Sequence, residues 1–342
     1  MLSDLTLAEL RSYVTEIGLP SFRGNQIFDA IYNGKELNEI TNIPKNVLNL
    51  IKKDYPKARI IKKLVSKEGT RKYIIEFADG EIVESVLMKY KYGNTICVST
   101  QVGCRMGCKF CASGLNGLKR NLSAGEILSQ VLLVNRDVGG TLKDRQITNI
   151  VLMGSGEPLD NYDSVVKFLR LVTSSDGLNI SERNISLSTC GLVPEILKLA
   201  DEGLNITLTI SLHAPNDELR QQTMPIANRY SIAEILDACQ KYIDKTKRRV
   251  AIEYTLIKDV NDSKACANEL VGLLKGMLCH VNIIPLNYVK ERGLKGSTRK
   301  EAYQFAACLE KSGLSATVRR TMGEDIAGAC GQLRNEIMAG GK

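Results

Sequence analysis

The chain has 342 residues, of which 44% are hydrophobic and 25% charged, and its formal net charge at pH 7 is +8. This balance is typical of a globular protein and excludes a disordered chain. No apolar stretch reaches the ~18 residues that a membrane helix needs, and residues 1–18 predict an amphipathic helix rather than a signal peptide. We therefore expect a cytoplasmic protein of about two domains, without membrane contact.

The first 90 residues predict helices followed by a small antiparallel sheet. Apolar residues recur at helical spacing in three segments, Leu5–Ile17, Gly24–Tyr32 and Val47–Ile51. Three strand-like runs follow, RIIKKLVS, RKYIIEF and EIVESVLM, and the segments KEGT and ADG between them are typical of hairpin turns. We therefore predict a helical region at 1–52 and a small sheet and linker at 53–94.

Basic side chains are concentrated in this predicted sheet. The segment from Lys52 to Lys72 contains nine lysines and arginines but only two acids, Asp54 and Glu68. Such an excess favours a polyanionic partner such as RNA, although a charged run is about as often only a solvated face. Both interpretations stay open at this point.

From residue 95 onwards, strands and helices alternate. The predicted strands are TICVSTQ, TNIVLM, NISLST, NITLTISL, RVAIEYTLI, HVNIIPL and ATVRR. The predicted helices are Ala124–Val138, Tyr162–Val172, Val193–Asp201, Ile232–Ile243, Ala265–Leu274 and Lys300–Lys311. Ser123 and Glu126 form a capping box before the first of them. This alternation predicts an α/β fold with parallel βαβ units in a sheet or barrel of six or seven strands.

Polar and cysteine residues follow the predicted strands, at the edge where the active site of a βα barrel lies. They are Cys104, Cys108, Cys111, Gly154–Pro158, Ser188, Ser211–His213 and Asn287. A Gly-rich turn, a strand-end hydroxyl or a polar core histidine is common by itself. A whole row of such residues is hard to explain by folding alone, so we expect them to surround one site.

The segment GCRMGCKFCASG holds three cysteines at CxxxCxxC spacing. Ten cysteines with only two histidines and no export signal indicate metal or redox chemistry rather than disulfides. Structural zinc needs four ligands, and the distant His213 is a candidate for the fourth. A 4Fe–4S cluster held by three cysteines instead leaves one iron open to a small molecule. The remaining scattered cysteines are expected to be small buried hydrophobic residues, namely Cys190, Cys239, Cys266, Cys279 and Cys308.

These motifs resemble the radical S-adenosylmethionine (SAM) superfamily, and longer segments resemble its RlmN family. The segments are CVSTQVGCRMGCKFCASGLNGLKRNL, GSGEPLDNYD, SLHAPNDELR, HVNIIPLN and VRRTMGEDIAGACGQL, and the likeness runs from about Gly18 to Leu333. RlmN enzymes methylate carbon 2 of an adenosine in 23S ribosomal RNA and in certain tRNAs. The resemblance implies a partial (βα)6-type barrel over 95–342, preceded by an RNA-binding helical accessory domain at 1–52 and the sheet and linker at 53–94.

The resemblance also implies a role for each motif. Cys104, Cys108 and Cys111 would bind one 4Fe–4S cluster. The SAM pocket would comprise Gly156, Glu157, Ser188, Ser211, Leu212, His213 and Asn287. Three further residues would be catalytic: Cys330 as an S-methylcysteine carrier, Cys97 as its resolving thiol and Glu84 as the general base. Glu76 and Glu81, near Glu84 in sequence, are more plausibly surface carboxylates.

The implied chemistry is radical, because carbon 2 of adenine is electron-poor and cannot readily attack a sulfonium methyl group. One SAM methylates Cys330, and a second is cleaved to a 5′-deoxyadenosyl radical that takes a hydrogen from that methyl group. The methylene radical adds to carbon 2, and Glu84 removes the ring proton. Cys97 then attacks the Cys330 sulfur, which releases the product and leaves a transient disulfide.

The implied partners are 23S rRNA and tRNA, whose target base must leave its stack, and an electron donor such as flavodoxin or ferredoxin. Nothing in the sequence demands a dimer, so we expect a monomer. The related Cfr resistance methyltransferases share the triad and both extra cysteines but modify carbon 8. Pro158, Pro285–Leu286 and the Arg319–Arg320 pair favour RlmN. A non-catalytic RNA-binding protein with a structural metal is the third alternative, but it would leave the three catalytic candidates without a purpose.

Overall fold

The computed structural model describes residues 1–334. Its N-terminal part contains three helices, α1 (Leu7–Glu16), α2 (Phe22–Tyr32) and α3 (Lys45–Ile51), close to the predicted segments. Their buried faces belong to the same hydrophobic core as the helices and strands that follow. The Tyr32 hydroxyl donates a hydrogen bond to the distant Leu171 carbonyl. The helical region is therefore packed against the rest of the chain and not merely tethered to it.

Twelve strands follow in the described residues. They are β1 (Arg59–Val65), β2 (Arg71–Glu76), β3 (Ile82–Tyr90), β4 (Gly93–Cys97), β5 (Gln101–Gly103), β6 (Leu118–Asn121), β7 (Ile147–Leu152), β8 (Ile185–Thr189), β9 (Thr207–Ser211), β10 (Val250–Leu256), β11 (Cys279–Pro285) and β12 (Ala316–Val318). Strands β5 and β6 form a separate hairpin, and the other ten form one sheet in chain order. Strands β1–β4 pair antiparallel, and each later pair from β4–β7 to β11–β12 is parallel.

Seven helices accompany the parallel strands in the described residues. They are α4 (Ala124–Asp137), α5 (Tyr162–Thr173), α6 (Val193–Asp201), α7 (Asp217–Thr223), α8 (Ile232–Thr246), α9 (Lys264–Leu274) and α10 (Arg299–Lys311). The predicted capping box of Ser123 and Glu126 is present at the start of α4. Helix α7 was not predicted, because its sequence DELRQQT has one apolar residue and therefore no helical apolar stripe. None of the described helices is both long and apolar enough to cross a membrane.

The predicted α/β partial barrel is confirmed. The antiparallel strands β1–β4 belong to the same sheet as the parallel strands of the barrel. Seven parallel strands lie in sequential order, and within residues 1–334 β12 pairs only with β11, so the barrel stays open. Strand β3 pairs with β4, from Val86 opposite Cys97 to Tyr90 opposite Gly93. The small antiparallel sheet thus extends the edge of the barrel. Glu84, on β3, consequently lies close to the end of β4.

The basic segment is only partly available to a partner. Lys63 and Arg71 pair with Asp137, and Arg59 pairs with Glu76. Lys72 is buried and pairs with Glu84. Five lysines of the segment form no ion pair with any described residue, namely Lys52, Lys53, Lys57, Lys62 and Lys67. An RNA-binding interpretation of this surface therefore depends on these five side chains.

Candidate active site

The loop between β5 and β6 brings the three predicted cysteine ligands to one cavity, at the carboxyl ends of the parallel strands. The start of this loop requires glycine at position 103. Gly103 has φ +83°, and a Cβ there would lie 1.9 Å from the Gly117 carbonyl oxygen. The Cys104 N–H donates to that same carbonyl at 3.0 Å. Burial raises the pKa of Cys104 to about 12 and also raises that of Cys108, and the neighbouring Cys111 thiol raises both further. Such thiols need a cation before they ionise.

The donor set fits a cluster better than a zinc ion. Within residues 1–334 no three His, Cys, Asp or Glu side chains converge as the ligands of a single metal ion would. His213 is not available as a fourth zinc ligand. Its Nδ1 accepts the Thr255 N–H at 3.0 Å and burial lowers its pKa to about 3, so the neutral ring carries its proton on Nε2.

Six of the seven residues predicted for the SAM pocket line the same cavity, namely Gly156, Glu157, Ser188, Ser211, His213 and Asn287. Leu212 is the exception, because its side chain is fully buried in the hydrophobic core. Gly156 has φ +109°, and a Cβ there would lie 2.7 Å from the Gln101 Cβ, so the turn admits only glycine. These residues give one continuous lining beside the three thiols.

Glu157 is buried and held by backbone donors. Its carboxylate accepts the Cys190 N–H at 2.8 Å and the Leu159 N–H at 3.0 Å. Burial raises its pKa, and these hydrogen bonds act against that shift. Cys190 is buried in the hydrophobic core, as expected, and it also lines the cavity.

A polar chain on the strand ends forms the floor of the cavity. The Ser188 and Ser211 hydroxyls lie 3.2 Å apart, and Ser188 also donates to Glu253 at 3.4 Å. The other oxygen of Glu253 forms an ion pair with Arg319 at 2.6 Å. Sequence reasoning missed Glu253, although a single carboxylate within the otherwise apolar middle of RVAIEYTLI was a usable signal.

A second cavity brings together the other two thiols singled out from the sequence. Cys97, at the end of β4, and Cys330 both line it, and Arg319 lies on its wall. Cys330 also lines the cavity of the three cysteines. Cys97 is buried, which raises its pKa to about 12, whereas Cys330 is exposed at the cavity surface and loses part of its hydration there, which raises its pKa to about 11. The Arg319 guanidinium lowers both values. The chain leaves strand geometry directly after Cys97, as the odd spacing from Cys97 to Cys104 predicts.

Hydrogen bonds from two loops fix the segment that carries Cys330. The Asn287 side-chain amide donates to the Cys330 carbonyl at 3.0 Å. The Ala112 N–H donates to the Gly331 carbonyl at 2.8 Å, and the Ser113 hydroxyl donates to the Leu333 carbonyl at 3.0 Å. Cys330 is therefore held directly beside the cysteine loop.

Glu84 lies outside both cavities. Its carboxylate pairs with Lys72 at 2.8 Å and accepts the Arg334 N–H at 2.5 Å. Burial raises its pKa, although Lys72 acts in the opposite direction. Val86, two residues further on and on the same face of β3, does line the cavity of Cys97 and Cys330. Glu76 and Glu81 pair with Arg59 and Lys119 at the surface.

Comparison with known proteins places this geometry in a family. Residues 98–267 match the sequence model of the Radical SAM superfamily. Probable dual-specificity RNA methyltransferases RlmN from Clostridium perfringens (strain 13) and Clostridium botulinum (strain Alaska E43) are 55% and 53% identical to this chain over 340 residues. In both comparisons the match covers 98% of this chain and 96% of the relative.

A solved structure agrees over almost the entire chain. The crystal structure of a radical SAM methyltransferase from Sphaerobacter thermophilus has a TM-score of 0.93 and 42% sequence identity, and the match covers 98% of this chain and 99% of that one. The expected cofactors are confirmed, since radical SAM enzymes use a 4Fe–4S cluster and SAM. The chain therefore belongs to the RlmN family of radical SAM methyltransferases.

Proposed function

We propose that this enzyme methylates carbon 2 of an adenosine in 23S ribosomal RNA and in some tRNAs, acting as a monomer that receives electrons from a flavodoxin or ferredoxin. The relatives are named for RNA methylation, which supports an RNA substrate. The observation that carries the proposal is the position of Cys330. A methyl carrier must face the SAM cavity and its resolving thiol in turn, and Cys330 lines both cavities.

Cys104, Cys108 and Cys111 would hold the cluster, and the cavity residues around Gly156 and Glu157 would hold SAM. When bound, these groups supply a methyl group and a radical that abstracts hydrogen. The chain itself provides the methyl acceptor, the Cys330 sulfur. It also provides a cation, because Arg319 favours the thiolate form of both Cys330 and Cys97 against the effect of burial.

Release of the product would depend on Cys97. After the carbon atom held on Cys330 has bonded to the adenine ring, the product stays attached to the protein through that sulfur. Attack by the Cys97 thiolate on the Cys330 sulfur forms a disulfide and breaks the sulfur–carbon bond, whose electron pair stays on the carbon, and this carbon then takes a proton to become the methyl group of the product. Both cysteines are free thiols in the structure and line one cavity, which supports this exchange.

Glu84 is proposed as the base that removes the ring proton. Its raised pKa makes it a stronger base than an ordinary glutamate, and its neighbour Val86 on the same face lines the carrier cavity. Glu84 would have to exchange its hydrogen bond from the Arg334 N–H for one from the substrate. The five unpaired lysines of the N-terminal region are proposed as phosphate contacts, so RNA affinity should fall with salt.

The product identifies the reaction. The reconstituted enzyme is incubated anaerobically with SAM, a reductant and unmodified 23S rRNA or tRNA, and the RNA nucleosides are analysed by mass spectrometry. We expect 2-methyladenosine. A product of 8-methyladenosine would instead assign the enzyme to the Cfr-type reaction, and no methylated adenosine from a preparation that cleaves SAM would refute the RNA assignment.

The variant Cys330→Ala should lose RNA methylation by at least ~10³-fold, because it lacks the covalent carrier. Its iron content and cluster spectrum should match those of the wild type. Cys308→Ala on α10 is the matched control and should keep full activity, since Cys308 lines neither of the two cavities. RNA methylation by Cys330→Ala at the wild-type rate would rule out the carrier role.

The variant Cys97→Ala should accumulate protein covalently joined to RNA, because no thiol remains in the cavity to attack Cys330. Labelled RNA on a denaturing gel measures the adduct. Cys239→Ala removes another buried thiol, on α8, and should give no adduct. If Cys97→Ala releases methylated RNA at the normal rate, Cys97 is only a packing residue.

The variant Glu84→Gln should slow methyl transfer to RNA by ~10²–10⁴-fold while Cys330 still acquires its methyl group, as followed by protein mass. In the wild type, the carboxylate form of Glu84 is lost as pH falls through its raised pKa, so the rate should decline on the acid side earlier than for an ordinary glutamate. Glu81→Gln is the surface control. A normal transfer rate in Glu84→Gln would leave Glu84 only as the structural partner of Lys72.

A further inference from the structure

Arg220, on α7, is a buried cation that the proposed chemistry does not use. Its side chain is 0% exposed, and it pairs with no carboxylate of residues 1–334. Its guanidinium donates only to backbone carbonyls, those of Cys190 at 2.6 Å, Leu212 at 3.2 Å, and Tyr230 and Ser211 at 3.4 Å. Carbonyl groups satisfy its hydrogen bonds but do not neutralise its charge. A buried charge without a counter-charge is expensive for folding.

Arg220 lies close to the cavity of the three cysteine ligands. Three residues after it, the Thr223 carbonyl accepts the N–H of Lys109, which directly follows Cys108. Cys190, its closest hydrogen-bond acceptor, lines the cavity of the three cysteine ligands, and so does Met224 at the end of α7. The guanidinium therefore lies directly behind the wall of that cavity.

The electrostatics of the site agree with this geometry. Burial lowers the pKa of Arg220, while the thiols of Cys190 and Cys108 and the carboxylate of Asp217 act in the opposite direction. An arginine in a protein nevertheless stays charged. Glu157 and Arg220 bind the two backbone groups of Cys190. The Glu157 carboxylate accepts the Cys190 N–H, and the Arg220 guanidinium donates to the Cys190 carbonyl. Within residues 1–334 Arg220 forms no ion pair, and Asp217 acts on its charge only from beyond ion-pair distance.

We propose that Arg220 is a positioning residue that supplies the buried counter-charge of the 4Fe–4S cluster. A cluster with a doubly positive core and three thiolate ligands carries one net negative charge, and its reduction adds a second. A fixed cation nearby favours the reduced state, because net charge and local polarity set cluster potentials. The same hydrogen bonds tie the loops after β8 and β9 together behind the cavity. This inference rests on the cluster of the proposed function and is independent of the RNA target.

The test is the midpoint potential of the reconstituted cluster, measured by an EPR redox titration without RNA. Arg220→Gln removes the charge but keeps amide donors. At a fixed potential we expect its ratio of reduced to oxidised cluster to fall at least tenfold, which corresponds to about 59 mV for one electron. Arg220→Lys keeps the charge and should stay near the wild-type midpoint. Arg170→Gln removes an arginine that pairs with Glu202 on the outer surface, and it should also leave the midpoint unchanged.

The outcomes separate the charge of Arg220 from its structural contacts. A wild-type midpoint in a folded, iron-loaded Arg220→Gln variant would overturn the proposal, because a purely structural role does not move the potential. If Arg220→Gln does not fold, Arg220→Lys decides: a wild-type midpoint supports the proposal, and a tenfold fall contradicts it. A wild-type protein that binds no cluster would refute the cofactor assignment and this inference with it, whereas absent RNA methylation would leave this inference standing.

Discussion

The site depends on the return of the C-terminal segment across the mouth of the open barrel. After β12 the chain is held by the Arg319–Glu253 ion pair, by the hydrogen bond from Asn287 to the Cys330 carbonyl, and by the contacts of residues 331 and 333 with the cysteine loop. These contacts connect the last described residues to the loops after β5 and β11. Without them, Cys330 would have no fixed place relative to the three cysteines of the cluster motif.

The thiols of the site divide into two groups with different electrostatic needs. The three thiols of the cluster motif line one cavity, and burial raises the pKa of Cys104 and Cys108, so these two need a bound cation to be held as thiolates. In the proposed reaction the Cys97 and Cys330 thiols must instead ionise without a metal, and the Arg319 guanidinium beside them lowers the pKa of each. Each group lies near an arginine: the half-buried Arg319 is beside Cys97 and Cys330, and the buried Arg220 is behind the cavity of the cluster motif. In the proposed chemistry, each arginine places a permanent positive charge near a site where negative charge forms.

The sequence predicted most of the secondary structure and most of the site for a simple reason. Parallel strands place their carboxyl ends at one edge, so residues that follow strands, such as Ser188 and Asn287, must gather there. Leu212, which the family motif places among the SAM-pocket residues, directly follows β9, and its side chain lies in the hydrophobic core and not in the cavity lining.

Other features could not be predicted from the sequence, because they depend on contacts between distant segments. The pairing of β3 with β4, which joins the N-terminal sheet to the barrel, is set by tertiary packing. The same holds for the pairing of Lys72 with Glu84, which removes one lysine from the basic surface, and for the burial of Arg220 without a carboxylate. Charge counts along a sequence show neither which charges are paired nor which are buried.

The most direct test of this account is the EPR spectrum of the reduced, anaerobically reconstituted protein before and after SAM is added. Three cysteine ligands leave one iron open, and the cavity residues Gly156 and Glu157 lie beside them. The account predicts a reducible 4Fe–4S signal that changes when SAM binds, with iron content near one cluster per chain. Bound zinc without iron, or a cluster signal that SAM leaves unchanged, would contradict it.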